Sequence, residues 1–277
     1  MHSFEGEPAP QRVSVWPAPT DSGAREPRSP GTFCSLLDAD TDLAEEFNPR
    51  TRMVVRQIAT VLVVDAPVGE CQLCTRFASI AAGPGLLVLD GLIAVDVHVG
   101  DRTATELAGA GDLLQPWVDC EDDLIDCEAS WRVLLPARIA VLDAAFAERV
   151  RPWPQITHAL LRRSGKRARD LSVQRAITSH PRLEVRLALM LWHLAERWGR
   201  VEPGGIRLSL PLTHRLLGQL VGAERPSVSH ALARLADGGL VTGGGADWHL
   251  RGTSQEDFAW LVDHHLDHAP AALRRGA

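Results

Sequence analysis

Arg225, Ser227, Ser229, His230 and Arg234 lie close together and share the polar side of a stretch whose other side is Val228, Leu232 and Leu235. An arginine can donate two hydrogen bonds to a guanine edge, and serine and histidine can reach base edges or phosphates. This is the chemistry of a surface that enters the major groove of DNA. Just upstream, Thr213, His214 and Arg215 precede a second apolar stripe, Leu216, Leu217, Leu220 and Val221. At the start of a helix these three would meet phosphate and add affinity without sequence preference.

Two short helices must hold this set. Thr213 can cap the free amides of the first, and Gly222 can take the positive φ of a sharp turn. Pro226 is tolerated only in a first turn, where its missing N–H costs nothing, so the second helix begins near Arg225. Gly238-Gly239 stops it. Leu240-Val241-Thr242 and Trp248-His249-Leu250 then read as strands around the turn Gly243-Gly244-Gly245-Ala246-Asp247. Helix, turn, helix and hairpin make a winged helix-turn-helix; the alternative for the pair alone is a helical hairpin with a polar face.

The pattern Gly218-Gln-Leu-Val-Gly222-x-x-Arg225-x-x-Val228, followed by Leu235-x-x-x-Gly239-Leu240-Val241, resembles the DNA-binding domain of the Crp/Fnr family of bacterial transcription regulators. The resemblance implies an α+β architecture with three parts. These are an N-terminal double-stranded β-helix (a cyclic-nucleotide-binding-like β-roll), a long dimerisation helix and a C-terminal winged helix-turn-helix. It also implies a homodimer on palindromic double-stranded DNA, contact with RNA polymerase, a cytoplasmic location and no catalysis. Arg225 matches the family's first base-contacting arginine, and His230 a second base-contacting position that is usually arginine. Pro226 departs from the pattern, standing where many relatives carry a glutamate that reads cytosine.

The rest of the chain fits that order. With 277 residues, 45% of them hydrophobic, it exceeds one ordinary domain. Residues 1–32 are rich in Pro, Ser, Gly and Arg and are expected to form a disordered tail without a signal peptide's basic start and apolar core. The best apolar stretch, Met53–Val68, is interrupted by Arg56 and Asp65 and is no membrane span. Residues 33–150 are expected to form the β-roll. A short helix over Ser35–Phe47 leads into strands at Ile58–Val64, Gly85–Val99, Thr103–Leu107 and Trp131–Leu142, with Gly91 and Gly100-Asp101-Arg102 dividing the longest. Residues 151–180 carry the dimerisation helix, with Ile156, Leu160, Leu161, Ala168, Leu171 and Ile177 on one side and Ser164-Gly165 interrupting the seam. Residues 181–252 form the winged helix-turn-helix and 253–277 a helical extension opened by a capping box at Ser254.

Net charge is −6, so no global basic field advertises nucleic acid. One local run does: Arg149, Arg151, Arg162, Arg163, Lys166, Arg167, Arg169 and Arg175, against Asp170 alone.

The expected effector pocket lacks what a cyclic phosphate needs. Leu107-Ala-Gly-Ala-Gly-Asp112 resembles the family's Gly-Asp turn, but no Arg-Ser or Arg-Thr pair follows. The next basic residue is Arg132, and Asp119, Glu121, Asp122, Asp123, Asp126 and Glu128 stand between. Such a loop repels phosphate and reads as a solvated segment or a cation site. Cys71-Gln-Leu-Cys74 has metal-ligand spacing, and Cys34, Cys120 and Cys127 could converge on it, so Cys71, Cys74, Cys120 and Cys127 are weak candidates for an iron–sulfur or redox site. His98 is the one histidine of the β-roll, which speaks against haem and against a catalytic His-x-His barrel. His264, His265 and His268 on the terminal helix could bind metal but fit a solvated helix better. No cofactor is called for. The competing reading is a small-molecule- or metal/redox-sensing β-barrel protein whose helix-turn-helix is structural only.

Overall fold

The computed structural model describes residues 31–71, 83–116 and 125–252. The terminal helix with its histidines, Cys74, Cys120, most of the acidic segment and all but the last two residues of the expected tail lie outside them; Thr32, placed at the end of that tail, opens a strand instead. The described chain is α+β, with an antiparallel sheet of rolled, bulged strands followed by helices and a small four-stranded wing sheet.

The single helix expected at Ser35–Phe47 is two: α1 (Leu36–Ala39) and α2 (Thr41–Glu45). Asp40 separates them because its backbone is extended and its carboxylate accepts from the Leu43 N–H, making it the cap of α2. A further helix, α3 (Pro49–Ile58), runs where no helix is expected; Asn48 caps it and Pro49 opens it.

The large sheet contains β1 (Thr32–Ser35), β2 (Thr60–Ala66), β3 (Gly69–Cys71), β4 (Gly85–Val99), β5 (Arg102–Gly109), β6 (Leu113–Leu114) and β7 (Cys127–Leu142). Its order is β1-β2-β7-β4-β5, with β3 on β7 and β6 on β4. Gly91 does not divide β4. The strand continues through register shifts at Asp90 and Leu92, and Gly91 sits at φ +92° where any Cβ would collide with the Pro136 carbonyl. A bulge and a glycine thus bend the strand rather than end it, which is how a long strand rolls. Leu86, Val88, Ile93, Val95, Trp131 and Ile139 pack with their neighbours into one buried cluster of this sheet.

Helix α4 (Ala144–Val150) closes one end, and its buried Phe146 packs with α1, α2 and α3. Helix α5 (Pro154–Thr178) is one unbroken element of 25 residues. The stripe expected on it is split between two faces. Ile156, Leu160 and Ile177 are buried in their own chain, whereas Leu161 is 63% and Leu171 40% exposed. The inward row between the buried residues is polar. Arg163 pairs with Asp40, Arg167 with Glu106, and the Gln174 amide donates to the carbonyls of Thr105 (2.6 Å) and Leu220 (3.2 Å). Arginines therefore fasten α5 to its own β-roll, leaving Thr157, Leu161, Ser164, Ala168 and Leu171 at heptad spacing on the outer face.

Helix α6 (Leu183–Trp198), β8 (Gly199–Glu202), β9 (Gly205–Leu208), α7 (His214–Val221), α8 (Arg225–Asp237), β10 (Val241–Gly244) and β11 (Asp247–Arg251) share a second core with Leu191, Leu217, Val228 and Trp248 fully or nearly fully buried. The wing sheet runs β10-β11-β9-β8.

Candidate nucleic-acid interface

The helix pair forms for the reasons its sequence gives. Thr213 Oγ accepts from the Leu216 N–H at 3.1 Å, and Gly222 ends α7 in the left-handed region at φ 66°. Gly218 carries a requirement that its place in the motif does not explain: a Cβ there would collide with the Ala223 carbonyl, so only glycine lets the turn close against α7. Glu224 is the N-cap of α8 by backbone alone, and Pro226 falls in the first turn. Val228, Ala231, Leu232 and Leu235 turn inward.

The outward set sorts into two groups. Arg215, Arg225, Pro226, Ser227 and His230 are exposed, and no partner is found for the two arginines among the described residues. The others are already engaged. Ser229 Oγ lies 2.8 Å from His214 Nδ1 and donates to the Arg225 carbonyl at 3.1 Å, so His214 and Ser229 join the start of α7 to the first turn of α8. Arg234 is held in an ion pair by Glu184 of α6, and the Thr213 hydroxyl is spent on its cap. At the root of the wing, the Arg207 fork bonds Asp247 at 2.7 and 3.0 Å and holds that carboxyl below the usual carboxylate range.

Several polar residues that position this unit carry no sequence signal, because their partners are far away in the chain. Arg186 of α6 donates to the Val221 carbonyl at 2.8 Å, holding the end of α7. Arg132 of β7 grips the buried Asp96 through Nε (2.6 Å) and Nη2 (3.1 Å), and the same Nη2 donates to Gln219 of α7 at 3.3 Å. Thr105 Oγ also donates to Asp96, at 2.5 Å. Arg197 of α6 donates to Asp112 at 2.7 Å and to the Ala110 carbonyl at 2.8 Å, clamping the Gly-Asp turn to the helical unit. The strands of the large sheet and the helical unit are therefore joined directly within one chain.

The other candidate centres look different. His98 is bridged across strands, with Thr103 at 2.9 Å on Nδ1 and Ser130 at 3.2 Å on Nε2, so both ring nitrogens have partners. Cys71 is buried, Cys34 and Cys127 are half-buried, and burial raises the Cys34 thiol above its ordinary pKa. Among the described residues no group of three or more His, Cys, Asp or Glu is placed to hold a metal ion.

Residues 185–251 match the family model of the Crp-like helix-turn-helix domain. A CRP-like cAMP-activated global transcriptional regulator of Mycobacterium tuberculosis is 35% identical over 96 residues, 33% of this chain and 43% of the relative. The helix pair and its wing are thus a Crp-like helix-turn-helix domain. The likeness in fold to solved structures extends beyond the matched domain. A CooA variant from Carboxydothermus hydrogenoformans superposes with a TM-score of 0.53 at 19% identity, covering 72% of this chain and 87% of that one. The c-di-GMP responsive global regulator CLP of Xanthomonas campestris gives 0.53 at 18%, covering 77% and 100%. A cyclic nucleotide-binding domain containing protein from Listeria monocytogenes gives 0.56 at 13%, covering 76% and 96%. The aligned segment spans less than half the length of the curated mycobacterial relative.

Proposed function

We propose that this protein is a sequence-specific DNA-binding transcription regulator that acts as a homodimer on palindromic double-stranded DNA, without a cyclic nucleotide, and in contact with RNA polymerase as its family resemblance implies. The observation that carries this reading is the exposed row on α8. Among the described residues, Arg225, Ser227 and His230 stand free over a closed apolar core, and Arg215 stands free on α7 beside them. A helix presented by a rigid pair with its polar edge unpaired is what major-groove readout requires. His214, Ser229, Thr213 and Arg234 act with them, His214 and Ser229 by fixing the angle between the helices.

The outer face of α5 supports the dimer. Leucines exposed at heptad spacing on a long helix need a partner, and a second copy of the same helix supplies it symmetrically. The sequence after the Gly-Asp turn supports the absence of a nucleotide: no Arg-Ser or Arg-Thr pair follows Asp112, and the next basic residue, Arg132, is paired with the buried Asp96. Among the described residues no helix is long and apolar enough to cross a membrane.

Fluorescence anisotropy with duplexes selected from a random pool tests this function. The expected result is two chains per duplex, on sites with two-fold symmetry whose half-sites are centred about 34 Å apart. Failure to enrich any duplex would refute it.

A further inference from the structure

His214 is half-buried at the start of α7, and one of its ring nitrogens is spent on α8. Nδ1 lies 2.8 Å from the Ser229 hydroxyl, which itself donates to the Arg225 carbonyl at 3.1 Å. A hydroxyl has one proton and a carbonyl can only accept, so that proton points at Arg225 and Nδ1 must be the donor to Ser229. This fixes the tautomer. A neutral imidazole protonated on Nδ1 carries a bare lone pair on Nε2, whereas an imidazolium carries an N–H there. Nε2 has no partner among the described residues and is not sealed from water.

Proton uptake therefore changes one atom and leaves the helix pair as it is, since Nδ1 donates to Ser229 in both states. At Nε2 a lone pair that repels a phosphate oxygen becomes a cationic donor that binds one with a charge-assisted hydrogen bond. Among the described residues no free carboxylate competes for that donor. On α6, Glu184 is paired with Arg234 and Glu196 lies 3.7 Å from His193, while Arg186 and Arg197 are bonded to the Val221 carbonyl and Asp112. At the cap of α8, Glu224 is paired with Arg102, and Asp237 stands at the far end of that helix. Asp247 of the wing is held by Arg207. Helix α5 and strand β5 meet α7 near Leu220, at its other end. The charged and titratable groups left free around His214 are Arg215, Arg225 and His230, which are the DNA-facing set itself.

We propose that His214 is a proton-dependent phosphate contact, so that acidification tightens the hold on DNA at every sequence alike. This rests on the DNA-binding reading above. Nε2 takes its proton from solvent as it meets the backbone, and by reciprocity DNA strengthens proton binding there by the same factor. A phosphate carries no sequence information, so the effect adds affinity and leaves base preference to the exposed row of α8.

One part of the test needs no DNA. Long-range proton–nitrogen spectra of the full chain, with the His214 signals assigned by their loss in His214→Gln, should show the proton on Nδ1 and a bare Nε2 at about pH 8. A bare Nδ1 would overturn the proposal. Anisotropy with the selected duplex from about pH 5.5 to about pH 8 then measures the coupling. Wild type should weaken at least fivefold across this range, and its salt slope should be steeper at the acid end by about one per chain. His214→Gln should lose most of this pH dependence, and His214→Arg should bind tightly throughout. Ser229→Ala frees the neutral ring to carry its proton on Nε2 and should flatten the profile too. His230→Gln should keep it. A pH profile in His214→Gln and His214→Arg equal to that of wild type would overturn the proposal, as would a pH effect confined to one duplex sequence. Failure of wild type to bind any duplex would refute the regulator reading instead, and the spectra would still decide the tautomer.

Discussion

Replacing Arg132 with methionine removes the partner of a carboxylate that cannot reach water. The Asp96 side chain is 4% exposed and the Arg132 side chain 37%. Arg132→Met leaves Asp96 with the Thr105 hydroxyl as its remaining bond among those described. Breaking a fully buried pair costs about 3–5 kcal/mol. Because Arg132 is more than a third exposed, solvent screening lowers the expected cost to about 2–3 kcal/mol. For a protein of this size that is a fall in Tm of roughly 5–10 °C. Urea unfolding of wild type, Arg132→Met, Asp96→Asn and the double variant measures it as a cycle. The double variant should recover more than half of the loss, because a neutral amide no longer needs the guanidinium. The Gln219 contact adds a second readout: Arg132→Met should loosen α7 against β5 and speed amide hydrogen exchange in α7 relative to α8. A stability within about 0.5 kcal/mol of wild type, inside the range of ordinary surface substitutions, would refute the reasoning.

Leu161→Glu should weaken self-association about 100-fold, since two copies of a leucine leave the seam at roughly 1.5 kcal/mol or more each; sedimentation equilibrium showing an unchanged dimer would refute the seam. Burial alone would raise the Asp40 pKa, but the hydrogen bond from Arg163 and the Leu43 N–H hold it below the ordinary carboxylate range. Its contribution is therefore present above the unfolded value of about 3.9 and is lost as pH falls through the lower folded value. Arg163→Met should accordingly be most destabilising near neutrality, with the gap to wild type narrowing below about pH 4 in urea melts. Calorimetry with cyclic AMP or cyclic GMP should show no micromolar binding at the β-roll.

The helix pair was legible because its signals are local: a threonine cap, a turn glycine and a proline confined to a first turn. The long helix was equally legible in extent, but its faces were not. Hydrophobic spacing places Leu161 and Leu171 beside Ile156 and Leu160, yet the inward row is completed by Arg163, Arg167 and Gln174, whose partners are 123, 61 and 69 residues away. No pattern within α5 reveals that its arginines are the residues facing home. Helix α3 is absent from the sequence reading: its Met53-Val54-Val55 merges with the apolar stretch that runs on to Val68, and its cap Asn48 and first-turn Pro49 lie before that stretch begins. Within the candidate site, Arg225 and Arg215 stand free as their residue types suggest. Ser229 and His214 do not, because each satisfies the other across the turn, and pairs between two helices are invisible to spacing within either.

The central claim is that α8 reads DNA through Arg225, and the most direct measurement is selection from random duplexes with wild type, Arg225→Ala and Arg215→Ala side by side. Paired bonds to guanine O6 and N7 are worth about 1–3 kcal/mol of discrimination. Arg225→Ala should therefore lose preference at one guanine per half-site, while the step facing Pro226 stays relaxed in both proteins. Arg215→Ala should weaken all sequences alike and reduce the salt slope by about one. An unchanged preference profile for Arg225→Ala would contradict the account.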